Sequence, residues 1–271
     1  MKIKLDLFSA SVAMFAPRTS LFFALVFLLC SPPALSQTTL KFCYEDEAQI
    51  PWTRPDGSGL TIELLKRVEE KLNERFEFIA KPWKRCQEEV RTGVLDGYFG
   101  AGLSEERQRF SVYPSLPDGQ VDVSSALHID RTRVFLRNDS AVTWDGKNLL
   151  QVKKPIVVQR GYLIGNMLVK QGFKIREVRT LNEGLRLLAN NDAEVAILQG
   201  IEALHLAKQD VQLNTVIHIH PLAFVSLPLH LAISRHSYQR DPQRFQRIWT
   251  TIKSTRNSAG YQQQLEAENL R

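Results

Sequence analysis

Cysteine is scarce, three residues in 271, and only Cys43 and Cys86 lie beyond residue 36. A chain of this size with two such cysteines is not a disulfide-built scaffold and must rest on its own core. Long apolar runs are also lacking after residue 37, so no later stretch is long enough to span a bilayer as a helix. The sequence has no G-x-S-x-G, no H-E-x-x-H and no P-loop, which removes the local signatures of a serine-hydrolase elbow, a zinc protease and a nucleoside-triphosphate site. No catalytic residue, metal site or cofactor is assigned on these grounds, and the chain reads as a non-enzyme. Nor is charge of one sign concentrated. Lys and Arg number 35 against 29 Asp and Glu, scattered along the chain, so nucleic acid is a poor partner.

What is present begins with an export pattern. Lys2, Lys4 and Arg18 precede the apolar run Leu21 to Cys30, and Pro32-Pro33 and Ala34-Leu35-Ser36 follow. This order predicts a cleaved secretory signal over residues 1–36, with Met14 a second candidate start. Cys30 follows the bulky Leu29, which argues against lipidation there. Loss of Lys2, Lys4, Arg18 and Asp6 takes the formal charge from +6 to +4. The remainder, 44% hydrophobic and 24% charged across the whole chain, suits one or two globular domains. An exported compartment is oxidising, so a Cys43–Cys86 disulfide is expected; the alternative is two small buried apolar residues.

The most informative stretch runs from Pro82 to Pro114. A short amphipathic helix (Trp83, Cys86, Val90) stops at Gly93, a strand is expected over Val94 to Phe99, and Gly100-Ala101-Gly102 lets another molecule approach the backbone. A helix starting near Ser104 aims free N–H groups at the same place, and Arg107 supplies a planar fork suited to a carboxylate. The stretch predicts a pocket for a small anionic or zwitterionic solute. Trp83, Gly93, Asp96, Gly97, Ser104, Glu106 and Arg107 also stand in the order found in the family 3 periplasmic solute-binding proteins, the amino-acid-binding class, which this chain resembles from residue 37 almost to its end.

That resemblance implies an α/β protein of the type II periplasmic-binding-protein kind, in which two α/β domains are joined by a two-crossing hinge with the ligand cleft between them. Residues 37–128 with 232–271 form the first domain, and 129–231 the second. It implies that Glu45, after the first strand, meets a ligand ammonium, and that Trp52 lies over the ligand; the plainer readings are a solvated loop acid and a lid on the core. Arg107 clamps an acid group, or else pairs with Glu105 or Glu106. Tyr44, Trp83, Gly100 and Gly102 complete the first wall, while Asp96 reads as a structural turn acid. In the second domain Gly161 keeps the family's backbone site, but Tyr162 replaces a serine or threonine. Gln199 stands near the place where many relatives carry an ammonium-binding aspartate. These departures, with hydroxyl-poor loops, count against a standard polar amino acid. The implied partners are a small-molecule solute and either an inner-membrane ABC permease or a sensor protein; a periplasmic monomer is expected. A sensory binder without a transporter and an exported dehydratase-like enzyme are the alternatives.

Elsewhere the periodicities are ordinary. Leu40–Glu45 and Phe76–Ala80 alternate as strands around a helix of Leu60, Leu64, Leu65, Val68 and Leu72 capped at Ser58. Val121 to Ile129 and Val134 to Leu136 are extended, with the first crossing near residues 126–134 and the return over Pro221 to Ser234. Trp144-Asp145-Gly146-Lys147 leads into a short helix. Glu194 to Gly200 echoes Asp96 to Gly100, acid, apolar strand, then glycine. His218 and His220 share a strand face without an evident third metal ligand. Asp241 and Pro242 open a helix carrying Phe245, Ile248, Trp249 and Ile252, and Tyr261 and Leu265 mark a last one. N-terminal sequencing of the exported protein should begin at Gln37; a chain still starting at Met1 or Met14 would remove the signal assignment.

Overall fold

The computed structural model describes residues 38–268. The export signal expected over residues 1–36 lies outside the described residues. The chain opens with β1 (Leu40–Glu45), α1 (Leu60–Leu72), β2 (Phe76–Lys81), α2 (Trp83–Arg91) and β3 (Gly97–Gly102). β1 pairs in parallel with β2 on one side and β3 on the other, as βαβ units require. Gly59, not Ser58, is the N-cap of α1. Ser58 turns back instead, its N–H and hydroxyl donating to Asp56 Oδ1. A Cβ on Gly59 would lie 2.4 Å from the Trp52 carbonyl oxygen. That close approach lets the Leu60 and Thr61 N–H groups donate to the Pro51 and Trp52 carbonyls at 3.0 and 2.9 Å. The loop bearing Trp52 is thereby tied to the first turn of α1.

The third strand starts later than its apolar residues predict. Val94 is 67% exposed, and a turn intervenes between Gly93, at φ 76°, and Gly97. Asp96 holds that turn. Its carboxylate accepts from the Lys41 N–H at 2.9 Å, the Ser237 hydroxyl at 2.7 Å and Arg240 Nη2 at 2.9 Å. It is a structural acid, as the sequence indicates.

Next come α3 (Glu105–Gln108), β4 (Ser111–Val112), a 3-10 turn (Val123–Ser125) in a region expected to be extended, and β5 (His128–Arg137). The short helix expected after Trp144 is instead a hairpin of β6 (Thr143–Trp144) and β7 (Leu149–Leu150). Asp145 explains it: Oδ1 accepts from the Lys147 and Asn148 N–H groups and closes the Asp-Gly turn. β8 (Ile156–Gln159), α4 (Leu163–Lys170), β9 (Ile175–Val178), α5 (Leu181–Ala189) and β10 (Val195–Leu198) follow. Two helices the periodicity did not announce, α6 (Gly200–Gln209) and α7 (Val211–Val216), precede β11 (Ile217–Ile219) and β12 (Val225–Ser234). The chain ends in α8 (Arg235–Arg240), α9 (Pro242–Arg256) and α10 (Ala259–Ala267), with Asp241 Oδ1 accepting from the Arg244 N–H as the α9 cap.

One sheet runs through the molecule in the order β2-β1-β3-β12-β5-β10-β8-β9. Each half has three strands in parallel and an antiparallel strand on its inner edge. The two inner strands are β5 and β12. Residues 128–132 of β5 pair with 225–229 of β12, and β5 then continues along β10 while β12 continues along β3. These are the two crossings.

The apolar core divides in the same way. In the first half Phe42, Leu64, Leu65, Val68, Trp249 and Tyr261 fill one face, and Cys43, Trp83, Cys86, Val90 and Tyr98 the other. In the second half β10 alternates, Ala196 and Leu198 to one cluster, Val195 and Ile197 to the other, the mark of a strand covered on both faces. The last two helices return to the first half, where Trp249 Nε1 donates to the Leu231 carbonyl at 2.8 Å and the Tyr261 hydroxyl to that of Leu60 at 3.1 Å.

Cys43 and Cys86 form the expected disulfide, joining β1 to α2 with Cα atoms 5.7 Å apart. Both are fully buried. The bond closes a loop with a sequence separation of 43 residues, so Cys86→Ala, or reduction, should lower stability by about 2–4 kcal/mol. Urea unfolding with and without reductant measures this; coincident curves would show that the bond contributes nothing.

Candidate functional site

The C-terminal ends of β1 and β3 face those of β8 and β10 across the inner strands, and a cavity lies between them. Tyr44, Glu45, Trp52, Trp83, Gly100, Gly102, Arg107, Tyr162 and Gln199 all line it. Of the residues named from sequence only Gly161 does not; it sits just behind the wall. Lining residues that the sequence reading missed include Gln49, Thr61, Phe99, His128, Asp130 and Leu229.

The aromatic walls are held rigidly. Tyr44 is 2% exposed, its ring stacked on Phe99 at 5.0 Å and its hydroxyl donating to the Arg54 carbonyl at 3.0 Å. Trp52 stacks on His128 at 4.0 Å with 7° between the planes. Trp83 meets both Tyr98 and Tyr162 edge-on. Gly100 adopts φ 75°, and a Cβ there would meet nothing within 4 Å. It is glycine for its backbone conformation, and it leaves β3 without a side chain at the cavity.

Arg107 is 4% exposed, and it is not a free fork. Nη1 donates to the Gly102 carbonyl at 2.9 Å, Nη2 to that of Gly161 at 3.2 Å, and Nε to Gln87 Oε1 at 3.3 Å. Its guanidinium lies over the Trp83 ring at 5.4 Å. The Ser104 hydroxyl accepts from the Arg107 N–H and caps the four-residue α3. The alternative pairing with Glu105 or Glu106 does not form; Glu106 accepts from Asn166 Nδ2 at 3.1 Å. Arg107 therefore ties β3 to the loop before α4. Gly161, at φ 77° and with Lys84 Cγ 2.9 Å from where a Cβ would stand, permits that approach. Gln49 Nε2 makes a second tie, donating to the Tyr162 hydroxyl at 3.1 Å. Outside the cavity Arg179 pairs with Asp46 and Glu47, and Lys84 with Glu177. All three pairs are exposed enough to contribute little.

Two carboxyls face the cavity, and among the described residues neither forms an ion pair. Burial, reinforced by the adjacent Asp46 carboxyl and opposed by a Trp83 backbone N–H, pushes Glu45 up to about 8. Asp130 is 4% exposed. Burial pushes it up to about 7, although the Thr132 hydroxyl, Arg133 and the Gly200 N–H favour its charged form. Gln199, neutral, is the N-cap residue of α6, and its N–H donates to Gln159 Oε1 at 3.2 Å. Thr61 Oγ1 and His128 Nδ1, both buried at the cavity, have no hydrogen-bond partner among the described residues. No group of three or more His, Cys, Asp or Glu is placed to hold a metal among those residues. His218 Nδ1 lies 3.2 Å from Asn138 Oδ1, away from the cavity.

No protein-family model and no curated protein matches the sequence. Solved structures do. A histidine kinase sensor domain with similarity to periplasmic binding proteins superposes with a TM-score of 0.67 at 16% identity, over 86% of this chain and 96% of that one. The GluR0 ligand-binding core from Nostoc punctiforme, in complex with L-glutamate, gives 0.65 at 12% identity, over 86% and 100%. The ancestral amino-acid-binding protein AncCDT-1, a precursor of cyclohexadienyl dehydratase, gives 0.63 at 19% identity, over 84% and 94%. This is the type II periplasmic-binding-protein fold. In such a fold the crevice beyond the strand ends is where ligands collect, and here that crevice is the cavity just described. The resemblance read from the Pro82–Pro114 stretch therefore extends to the fold of nearly the whole chain.

The inner strands carry two buried histidines with consequences for pH. Burial holds His128 down at about 3 and His230 at about 4, against 6.5. Their neutral forms are bound by the fold, so their contribution is complete above pH 6.5 and is lost as pH falls through that value toward 4. Glu45 and Asp130 act with the opposite sign, so the quantity to compare is variant minus wild type. His230→Gln, which keeps a donor toward the Asp122 carbonyl, should remove on the order of 2–3 kcal/mol of the stability change between pH 6.5 and 4. Parallel pH–stability curves would show that His230 does not titrate this way.

Proposed function

We propose that this chain is a periplasmic solute-binding protein that captures a small amino-acid-like solute in a cleft between two domains. The proposed domains are residues 37–128 with 232–271, and 129–231, hinged at the two crossings in β5 and β12. The observation that carries the reading is the cavity itself. It lies at the meeting of two sets of strand ends, walled by fixed aromatic side chains, and is bridged by Arg107 to Gly161 and Gln49 to Tyr162. A pocket split in this way between two halves fits capture by hinge closure. The carboxylate clamp expected of Arg107 draws less support, since each of its three nitrogens already donates to an uncharged oxygen.

The proposed setting is the periplasm, and the proposed partner an ABC-type uptake permease. A second reading has a specific observation behind it: the sensor-domain neighbour belongs to a histidine kinase, so a sensory binder without a transporter fits the same fold. A dehydratase-like enzyme rests only on the description of the AncCDT-1 neighbour as a precursor, and fold does not carry function.

A ligand that binds only the folded state raises its stability by mass action, by about 2.7 kcal/mol at a concentration 100 times Kd. Residues 37–271 should therefore melt at a higher temperature with at least one member of a panel of amino acids, amines and small carboxylates. Trp52→Ala should remove most of that rise. A flat response across the whole panel would overturn the reading.

A further inference from the structure

We infer that the solute is recognised through a protonated amine, held by Asp130 on the inner strand together with Glu45, and that it needs no carboxylate. This rests on the solute-binding reading and sharpens it. The charged groups facing the cavity are unequal in what they have left to offer. Arg107 is the one cation among its lining residues, and its fork is engaged with the Gly102 and Gly161 carbonyls and Gln87. Neither of the two carboxyls has an ion-pair partner among the described residues. Asp130 Oδ2 accepts from the Thr132 hydroxyl at 3.1 Å, which orients the group without supplying charge. The site thus offers a cation two acidic acceptors without an ion-pair partner, and a carboxylate only a guanidinium with three of its five N–H groups already donating.

The surroundings fit the same ligand. Trp52, Trp83, Tyr162 and Phe99 present ring surface, to which an ammonium is attracted by the ring quadrupole. Leu229 and Leu163 give the rest of the wall an apolar character suited to a hydrocarbon body. The α6 N terminus, the usual place for a ligand anion, already has the Gly200 N–H directed at Asp130. Gln199 cannot take the ammonium as an ionised acid would, so the charge comes from β5, the strand paired with β10. Thr61 Oγ1, 1% exposed at the same cavity and without a partner among the described residues, is a further acceptor for an N–H.

Proton linkage follows from the same groups. Facing Asp130 are Thr132 and Arg133 on its own strand, the Gly200 N–H of α6 and the Tyr162 hydroxyl. Facing Glu45 are Asp46 and Glu47, both paired with Arg179, the Trp83 N–H of α2, and Tyr162. Of the two cations here, Arg179 is taken up by Asp46 and Glu47, and Arg133, which favours the charged form of Asp130, makes no ion pair with it among the described residues. With Glu45 raised to about 8 and Asp130 to about 7, a bound ammonium favours their charged forms and expels about one proton near neutral pH. Affinity for an amine therefore rises as pH goes from 6 to 8.

The test uses residues 37–271 and two matched triples: phenethylamine, phenylalanine and 3-phenylpropionate, and pentylamine, norleucine and hexanoate. Melting shifts are read first, then titration calorimetry in two buffers of different ionisation enthalpy. The expected result is that the amine of at least one triple stabilises the protein, its matching acid does not, and binding releases protons. Asp130→Asn should weaken that amine by about tenfold or more and reduce the proton release. Its ligand-free form should melt no lower than wild type at pH 8, because a buried carboxylate has been removed; Glu45→Gln is the second variant. An acid that binds as well as its amine overturns the inference and leaves the solute-binding reading standing. So does unchanged affinity and proton release in Asp130→Asn. Silence from both amines overturns the inference whatever the acids do, and silence across the wider panel takes the solute-binding reading with it.

Discussion

The backbone pairing of β5 with β12, residues 128–132 against 225–229, is the constraint from which the rest is set. Each strand is ten residues long and spends half its length in each half of the sheet. Neither half can place its strand ends without it. The cavity, the two histidines and Asp130 all lie on or beside this short antiparallel ladder. Because side chains on a strand alternate, a ladder that fixes the backbone also fixes which residues face inward. In β5 the inward set is His128, Asp130 and Thr132, all buried, while Ile129 is 46% exposed.

That arrangement inverts the usual preference, polar inside and apolar outside, and it has an energetic cost. A buried carboxyl without a cation disfavours the folded state at neutral pH, and a buried neutral histidine does so in acid. The compensation lies elsewhere, in the disulfide between β1 and α2 and in the dense apolar clusters on both faces of each half-sheet. Around Arg107 the opposite policy holds. Ser104 caps its helix, the Ser111 hydroxyl donates to its carbonyl at 2.8 Å, and the Tyr113 hydroxyl joins it at the Gly102 carbonyl at 3.0 Å. One charged group donates from each of its three nitrogens and serves as structure; two others are left without an ion-pair partner beside open space.

Much of this was legible from residues alone. Strand and helix order in the first half, the Cys43–Cys86 bond and the return of Trp249 and Tyr261 to the first core follow from local pattern and resemblance, and nine of the ten residues expected to meet a ligand line one cavity. What was missed has a physical reason in each case. Val94 looks like a strand residue but stands exposed, because the carboxylate of Asp96 competes for the turn. The Asp145-Gly146 turn overrides the helix expected after Trp144. α6 and α7 have mixed faces that dilute a 3.6-residue period. Arg107 reads as a clamp from its type and place, yet only tertiary structure could show its donors taken up by carbonyls 5 and 54 residues away.

Asp130 is the instructive omission, since its signal was present. The run His128-Ile129-Asp130-Arg131-Thr132 alternates with strand period, but with its polar members on the face that a crossing strand must bury. Such a run is either misassigned or functional, because burying three polar residues in a row on one face is costly without a use for them. The departures at Tyr162 and Gln199 then fit one change rather than two. Tyrosine at 162 replaces the short-chain hydroxyl that a ligand carboxylate would use with a phenol tied to Gln49, and a neutral residue at 199 lacks the charge of the usual ammonium partner. With Asp130 in place the second loss is made good and the first is not. A pocket whose acids lack an ion-pair partner and whose one cation is already bonded to carbonyls suits the inferred preference for amines over zwitterions.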